Sequence, residues 1–438
     1  MTNLDARQLI DRHRAVIPSW LTLYYDEPIE LVGGEGRRVT DAEGRSYLDF
    51  FGGILTNMIG YGVPEVREAL KAQLDSGIVH TSTLYLIRSQ VDLAERIAEL
   101  SGIPNARVFF TTSGTEANEA ALLHACTARR SHQVIALRGS YHGRSFGAMG
   151  ITGIRGWSAS AFTPLNVRYL RGGDRLRGPY RGLSDADFIR AAADELREVI
   201  AAETSGDVAA FIAEPIQGVG GFVIPPDGYF AAVKEVLDDY GIHFISDEVQ
   251  TGWGRTGEHF WGIQAHGVTP DFMTFAKGLG NGLTIGGVVG RAELMDKLPA
   301  NSISTFGGNP LSTRAGVATL DYVLSHNLQR NALTVGRRLI DGIRRLGDKY
   351  DIVGDVRGKG LIVGVELVRP GGTEPNPPAA GVILEEAKRG GLLIGKGGMY
   401  GNALRIAPPL TLTAEEADEG LEILTEAFAR ADALEGWK

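Results

Sequence analysis

The sequence predicts an α/β protein, with a large domain built on a mainly parallel sheet flanked by helices and a smaller α+β domain. Three observations carry that prediction. From about residue 61 to 325, short apolar runs alternate with helical stretches, the pattern of strands joined by helical crossovers. After about residue 326 the alternation gives way to the mixed helix and strand order of an α+β unit. Glycine is in excess, 59 of 438 residues, and it clusters between the apolar runs, where tight turns and close backbone approach need a residue without Cβ.

The elements follow in order. Residues 1–60 open with a short helical pattern and continue into a hairpin, RRVT and SYLDF around the turn Asp41–Ala42–Glu43–Gly44. This segment is expected to join the smaller domain, so that both termini contribute to it. In residues 61–325, RVFFTT, QVIALR, VAAFIAE and IHFISDE read as buried strands. EANEAALLHACTARR, DFIRAAADELREVIAAE and YFAAVKEVLDDYG read as the helices between them. In residues 326–438, a helix (NALTVGRRLIDGIRRLG) precedes the strands IVGDV and LIVGVELV. A helix near 380–389, the strands LLIG and LRIA and a helix near 414–433 complete the unit. Gly371, Gly372, Pro375, Pro377 and Pro378 are expected to mark a surface loop inside it.

Composition removes several function classes. Hydrophobic residues are 43% and charged residues 22%, ordinary for a folded soluble chain. The net charge of -9 is the wrong sign for coating nucleic acid. The single cysteine, Cys126, builds neither a disulfide framework nor a thiolate metal cage. It fits a reducing, cytoplasmic setting, and no metal is expected. No apolar run approaches the roughly 18–20 residues that span a bilayer, and the opening MTNLDARQLIDRHR lacks an apolar signal core.

Four groups of residues carry chemistry. Ser113-Gly114-Thr115-Glu116-Ala117-Asn118-Glu119 follows a strand and opens a helix. Free N–H groups at a helix start bind phosphate well, although Ser113 with Glu116 is equally a plain S-x-x-E capping box. No P-loop and no dinucleotide fingerprint accompanies it. Asp247, in DEVQTG at the end of IHFIS, is a carboxylate that is costly to bury unless a cation faces it; a protonated pyridine nitrogen is one such cation, and an aspartate capping the next turn is the plainer use. Lys277, after DFMTFA and before GLGNG, is placed for burial, which lowers an amine's pKa and makes it a Schiff-base nucleophile; a rim lysine with its head in water is the alternative.

The fourth group comprises EPIQG from Glu214, YHGR from Tyr141, STFGGNP from Ser304 and LRIAPP from Leu404, each read as starting at or near a strand end. Tyr141 and His142 offer flat faces for stacking or simply for packing. Arg405 offers a planar fork for a carboxylate or for a partner within the fold. Together these groups supply a phosphate cradle, a pyridinium partner, an amine, stacking faces and a carboxylate clamp, which is the inventory of a pyridoxal 5'-phosphate site.

With SGTEANE, EPIQG, DEVQTGWGRTG, FAKGLGNG and STFGGNP in this order, the chain resembles the class III pyridoxal-phosphate aminotransferases of fold type I, over nearly its whole length. GDVRGKGL, HFWG and EPIQGVGG are similar to the alanine–glyoxylate aminotransferase 2 branch. The resemblance implies that Lys277 is the Schiff-base lysine and proton shuttle and that Asp247 holds the pyridine nitrogen protonated. It implies that Gln250 bonds the ring's phenolic oxygen between Val249 and Tyr141 on the two ring faces. Glu214 stands behind, near Asp247 and His142. Ser113, Gly114 and Thr115 hold the phosphate with Thr305 from a second subunit, so a homodimer with shared sites is expected. Arg405 binds the substrate α-carboxylate, and loops containing Tyr25, Ile54 and Tyr85 contact the substrate.

Two positions bear on the substrates. Branches acting on 4-aminobutyrate or ornithine carry a glutamate after EPxQG that neutralises the arginine matching Arg405; here Val219 stands there. That keeps Arg405 available and favours α-amino acids with small oxo acids such as pyruvate or glyoxylate, within a general expectation of an amino acid or amine donor and a small 2-oxo acid acceptor. Arg144 in YHGRS matches the arginine used for a distal carboxylate and keeps 2-oxoglutarate, or an ω-amino or β-amino acid, in play. The expectation is a cytoplasmic aminotransferase. The alternatives are a lyase, racemase or decarboxylase of the same fold, or a silent binding protein.

Overall fold

The computed structural model describes residues 6–160 and 162–434. Its strands in chain order are β1 (Leu31–Glu35), β2 (Arg38–Asp41), β3 (Ser46–Asp49), β4 (Ala106–Thr111), β5 (Gln133–Leu137), β6 (Asn166–Leu170), β7 (Ala210–Ala213), β8 (His243–Asp247), β9 (Phe272–Phe275) and β10 (Gly286–Arg291). β11 (Val353–Lys359), β12 (Ile362–Leu367), β13 (Leu392–Leu393), β14 (Gly395–Gly397) and β15 (Ala403–Ile406) follow.

The large sheet has the order β4-β10-β9-β8-β7-β5-β6. β6, β5, β7, β8 and β9 run parallel, and β10 lies antiparallel to both β9 and β4. The reversal has a local cause. The link 276–285 is too short for a crossover, so the chain can only turn back beside β9. Helices Gly114–Arg129, Asp185–Glu203 and Tyr229–Asp239 match the helical stretches read from sequence. β7 and β9 are buried at every position, the mark of a sheet covered on both faces, which is why β7 is an unbroken apolar run and β9 is interrupted only by Thr274.

β11-β12-β15-β14 form an antiparallel sheet, and β1-β2-β3 form another that β13 joins in parallel to β3. Early and late segments of the chain are thereby tied together. Leu48 N–H donates to Gly391 O at 2.8 Å, Phe50 N–H to Leu393 O at 2.8 Å, and Ala407 N–H to Phe50 O at 2.7 Å. The last bond sets Phe51 beside β15. The hairpin turn forms where expected, with Asp41 Oδ1 accepting from Glu43 N–H and Arg45 N–H, an Asx turn.

Two local expectations need correction. Pro377 and Pro378 are not loop residues; they open helix Pro377–Arg389, capped by the Asn376 side chain, which accepts from Ala379 N–H. Proline fits there because a first-turn N–H has no helical partner to lose. Ser304 does not follow a strand. Its segment comes after the short helix Ala292–Met295 and leads into helix Pro310–Ser325.

Candidate active site

A cavity of about 360 Å³ lies at the carboxyl edge of the large sheet. Parallel strands deliver their carboxyl ends to one edge, where ligands of such sheets bind. Ser113, Gly114 and Thr115 arrive from β4, Tyr141 and His142 from β5, Glu214 from β7, Asp247, Val249 and Gln250 from β8, and Lys277 from β9; all line the cavity. Thr56, Thr112, Asn118, Gly143, Ala276 and residues 282–285 complete the lining; of these Asn118 sits inside SGTEANE, Gly143 inside YHGR, and Ala276 and Gly282 inside FAKGLGNG, with no role of their own expected from sequence.

Ser113 is the N-cap of helix Gly114–Arg129, its Oγ accepting from Glu116 N–H at 3.2 Å. Glu116 does not close the reciprocal arm of a capping box. Its carboxylate accepts instead from the N–H and hydroxyl of Thr112, at 2.8 and 2.7 Å. The cap and the cradle therefore coexist, because capping uses the Glu116 N–H and leaves the N–H groups of Gly114 and Thr115 without intrahelical acceptors. Space is kept by glycine: a Cβ at Gly143 would lie 2.5 Å from Thr115 Oγ1, and one at Gly114 would lie 3.1 Å from Val249 Cγ2. The segment fits a phosphate.

Asp247, only 3% exposed, ends β8. Its Oδ2 accepts from Asn118 Nδ2 and is bonded to His142 Nδ1, both at 2.8 Å, and its Oδ1 accepts from Val249 N–H at 3.1 Å. Asn118 is itself fixed, because Thr274 Oγ1 donates to its Oδ1 at 2.7 Å and its Nδ2 also donates to His142 O at 2.8 Å. No Lys or Arg is paired with this buried carboxylate among the described residues, so it retains the capacity to face a ring cation. His142 Nε2 is likewise buried with no partner among them. Glu214 accepts from Tyr141 N–H at 2.9 Å and Gly218 N–H at 2.8 Å. Burial pushes its pKa up to about 7, against the pull of His142 and with Asp247 adding to the rise.

Lys277 follows β9 at φ 45°, in the left-handed region that only a few non-glycine residues adopt. Burial pushes its amine down to about 8; the Arg405 charge acts the same way, and Asp247 and Glu214 oppose it. A lysine with a depressed pKa at the end of a buried strand is suited to imine formation and proton transfer. Phosphate cradle, a buried acid with no Lys or Arg partner among the described residues and a low-pKa amine converge on one cavity, and they fit pyridoxal 5'-phosphate.

Arg405 comes from a different sheet, on β15, and is 4% exposed. Its Nη2 donates to Gln250 Oε1 at 2.7 Å, so the oxygen of the Gln250 amide is engaged and the Nε2 group remains for another acceptor. Burial lowers the guanidinium pKa to about 10, opposed by Tyr24 and Glu214. Arg405 reaches the cavity through Gln250. Thr305, Arg144, Tyr25, Ile54 and Tyr85 do not line it. Thr305 is exposed, and Arg144 is exposed with its guanidinium carbon 5.4 Å from the Trp20 ring centroid. Tyr85 and Ile54 are exposed, the latter at φ 65°. Tyr25 packs beside Lys388, whose Nζ is 4.9 Å from its ring centroid; its neighbour Tyr24 is the residue whose hydroxyl feels Arg405.

Known proteins are similar to this chain in sequence and in fold. The family described as Aminotransferase class-III matches residues 25–428. The mitochondrial alanine–glyoxylate aminotransferase 2 homolog 2 of Arabidopsis thaliana is 39% identical over 98% of this chain and 89% of its own. An alanine/serine racemase of Pyrococcus horikoshii is 34% identical over 98% of this chain and 91% of its own. Among solved structures, a thermostable (S)-enantioselective omega-transaminase from Thermomicrobium roseum superposes with a TM-score of 0.90 at 34% identity, covering 98% of this chain and 100% of that one. The amine at the end of β9, the acid at the end of β8 and the match over nearly the whole length agree: the chain belongs to the class-III aminotransferases, fold type I enzymes that depend on pyridoxal 5'-phosphate.

Proposed function

We propose that the enzyme moves the amino group of an amino acid or amine to a small 2-oxo acid, with pyruvate or glyoxylate favoured over 2-oxoglutarate. One observation carries this reading: the hydrogen-bond partner of Arg405 is the neutral Gln250, and the position after EPIQG is Val219, buried and apolar. Among the described residues no carboxylate is hydrogen-bonded or ion-paired with the guanidinium, so it stays available to a substrate carboxylate in both half-reactions. Bound pyridoxal phosphate supplies the electron sink that lets a Cα proton leave.

The residues act around that group as follows. Gly114, Thr115 and Ser113 hold the phosphate, Asp247 keeps the ring nitrogen protonated, and Val249 and Tyr141 cover the ring faces. Glu214, His142 and Gln250 orient these parts. Lys277 Nζ, whose pKa burial lowers to about 8, would take the proton from the substrate's amino-bearing carbon and return it at the cofactor's C4', two bonds away, once the cofactor is bound. Tyr25, Ile54 and Tyr85 belong to the surrounding loops, and Arg144 to a distal carboxylate.

We further propose a homodimer with shared active sites, residues 61–325 as the cofactor-binding domain and residues 1–60 with 326–438 as the smaller one. Thr305 is exposed on its own chain, as are Leu84, Leu86, Ile303 and Phe306, an apolar surface that a second copy covers. The single thiol fits a reducing compartment, and the cytoplasm is our assignment. No described helix is long and apolar enough to cross a membrane.

A panel of amino donors against pyruvate, glyoxylate and 2-oxoglutarate, with the new amino acid quantified, tests the substrate reading; 2-oxoglutarate outperforming both others overturns it. The racemase similarity supplies a second reading, tested by loss of optical purity of an amino acid with no oxo acid present. Mixing Lys277→Ala with Thr305→Ala subunits tests the shared site. Heterodimers should regain activity, and no recovery means that each site is built within one chain.

A further inference from the structure

The surroundings of Arg405 contain more than Gln250. Its guanidinium carbon lies 4.7 Å from the ring centroid of Phe222 and 5.2 Å from that of Phe51, both within cation–π reach. The Tyr24 ring stacks on Phe51, 5.9 Å away and 20° from parallel. Its hydroxyl is pinned by the backbone of Lys396, donating to the carbonyl at 2.8 Å and accepting from the N–H.

The sheet beneath has been cleared for this group. Gly364 on β12 and Gly395 on β14 are the register partners of Arg405. A Cβ at Gly395 would lie 2.2 Å from the Phe51 ring and one at Gly397 2.6 Å from Arg405 Cδ, while one at Gly364 would meet first the Gly221 carbonyl oxygen, at 2.4 Å, and then Phe222 Cβ at 3.2 Å. Phe222 is fully buried and held at φ 56°, a conformation that costs a bulky residue energy and persists only where its surroundings fix it.

Rings differ from a carboxylate as partners for a cation. They attract the guanidinium and hold its position, yet they neither cancel its charge nor occupy its N–H donors. Among the described residues the guanidinium makes one hydrogen bond, to Gln250, and its Nε is buried without a partner. Resting on the reading of Arg405 as the substrate clamp, we propose that Phe51 and Phe222 are positioning residues that hold Arg405 in place with its charge uncancelled, so that the enzyme selects substrates bearing a carboxylate beside the reacting carbon in both half-reactions. A carboxylate-free amine, which would bury this cation unpaired, is disfavoured by the same device.

The test uses the holoenzyme and a ligand that cannot react, propionate, with binding followed by calorimetry. Phe51→Leu and Phe222→Leu should each weaken propionate by about 3- to 30-fold, the loss of one partly desolvated cation–π contact. Phe51→Tyr keeps the ring and should stay within about 2-fold of wild type. KM for pyruvate should rise with the propionate constant while kcat holds, and the preference for L-alanine over isopropylamine, which replaces the carboxylate by a methyl, should fall in step. Thermal melting and cofactor absorbance identify a variant that has lost its fold. If fully buried Phe222→Leu fails in this way, the less buried Phe51→Leu decides. Leucine variants that bind propionate as wild type does, or a tyrosine variant as weak as leucine, overturn the proposal. Arg405→Gln binding propionate like wild type overturns the clamp reading beneath it instead.

Discussion

Replacing Lys277 by methionine should stabilise the apoenzyme at neutral pH, although it destroys turnover. In the cofactor-free fold the amine sits at a pKa of about 8 against its ordinary 10.5, mainly because burial penalises the charged form. At about 1.4 kcal/mol for each pKa unit, keeping that amine protonated costs the fold about 3 kcal/mol. Water in the open cavity reduces this, so the expected gain for Lys277→Met is about 1–3 kcal/mol. Methionine is close in length and carries no charge, and the φ of 45° burdens both residues alike. The pH dependence has a definite sign. Between about pH 8 and 10.5 the unfolded chain holds a proton on Lys277 that the folded chain lacks, so wild-type stability rises with pH in that window. Below about pH 8 both states hold the proton and the cost is constant. The advantage of methionine should therefore be full at pH 7 and small by about pH 10.5. Urea unfolding of both apoproteins at the two pH values measures it. An equal gain at both, or none at pH 7, refutes the electrostatic account of this lysine.

Three further substitutions separate the other parts of the site. Asp247→Asn keeps the shape and removes the charge, so kcat should fall by about 100-fold or more while cofactor absorbance shows retention; unchanged single-turnover rates would contradict the role given to the charge. Asn118→Leu strips one of three donors from Asp247 and should lower kcat by about 10- to 100-fold, the worth of a hydrogen bond to a charged group of about 1.5–3 kcal/mol; equal loss in an Asp247→Asn background would place its effect elsewhere. Arg144→Ala should reduce turnover of 2-oxoglutarate and spare pyruvate and glyoxylate, and uniform loss across the three acceptors would make Arg144 a residue of the fold.

Much of the site was readable because its groups come from the ends of consecutive strands. Lys277 and Asp247 stand out as charged residues closing apolar runs, and a charge in that position has to be either paired or used. Ser113 was readable as cap and as cradle; the cap forms, and the cradle proposed for the same segment is compatible with it because it would use different N–H groups. Asn118 was passed over although it lies one turn into the helix that Ser113 opens. Nothing in a helix sequence tells which inward face meets the end of a strand 129 positions later, where its Nδ2 donates to Asp247. Tyr24, whose hydroxyl feels the Arg405 charge, lies next to Tyr25 in a bend where the two rings touch edge to face at 5.8 Å, and nothing local in the sequence separates their roles.

The sequence by itself determined the class of fold, most of the strands and the cofactor, since periodicity, glycine placement and charge at strand ends are local properties of the chain; β1, β6 and β10 were not legible in it. Tertiary structure alone decided what surrounds Arg405. Phe51, Phe222 and Gln250 are separated from it by 155 to 354 positions, and they meet only because β13 pairs with β3 and β15 lies between β12 and β14. The electrostatic state of Lys277 was decided in the same way. Its pKa follows from burial and from a guanidinium carried on another sheet, and desolvation and Coulomb energy depend on distances in space that sequence separation does not specify.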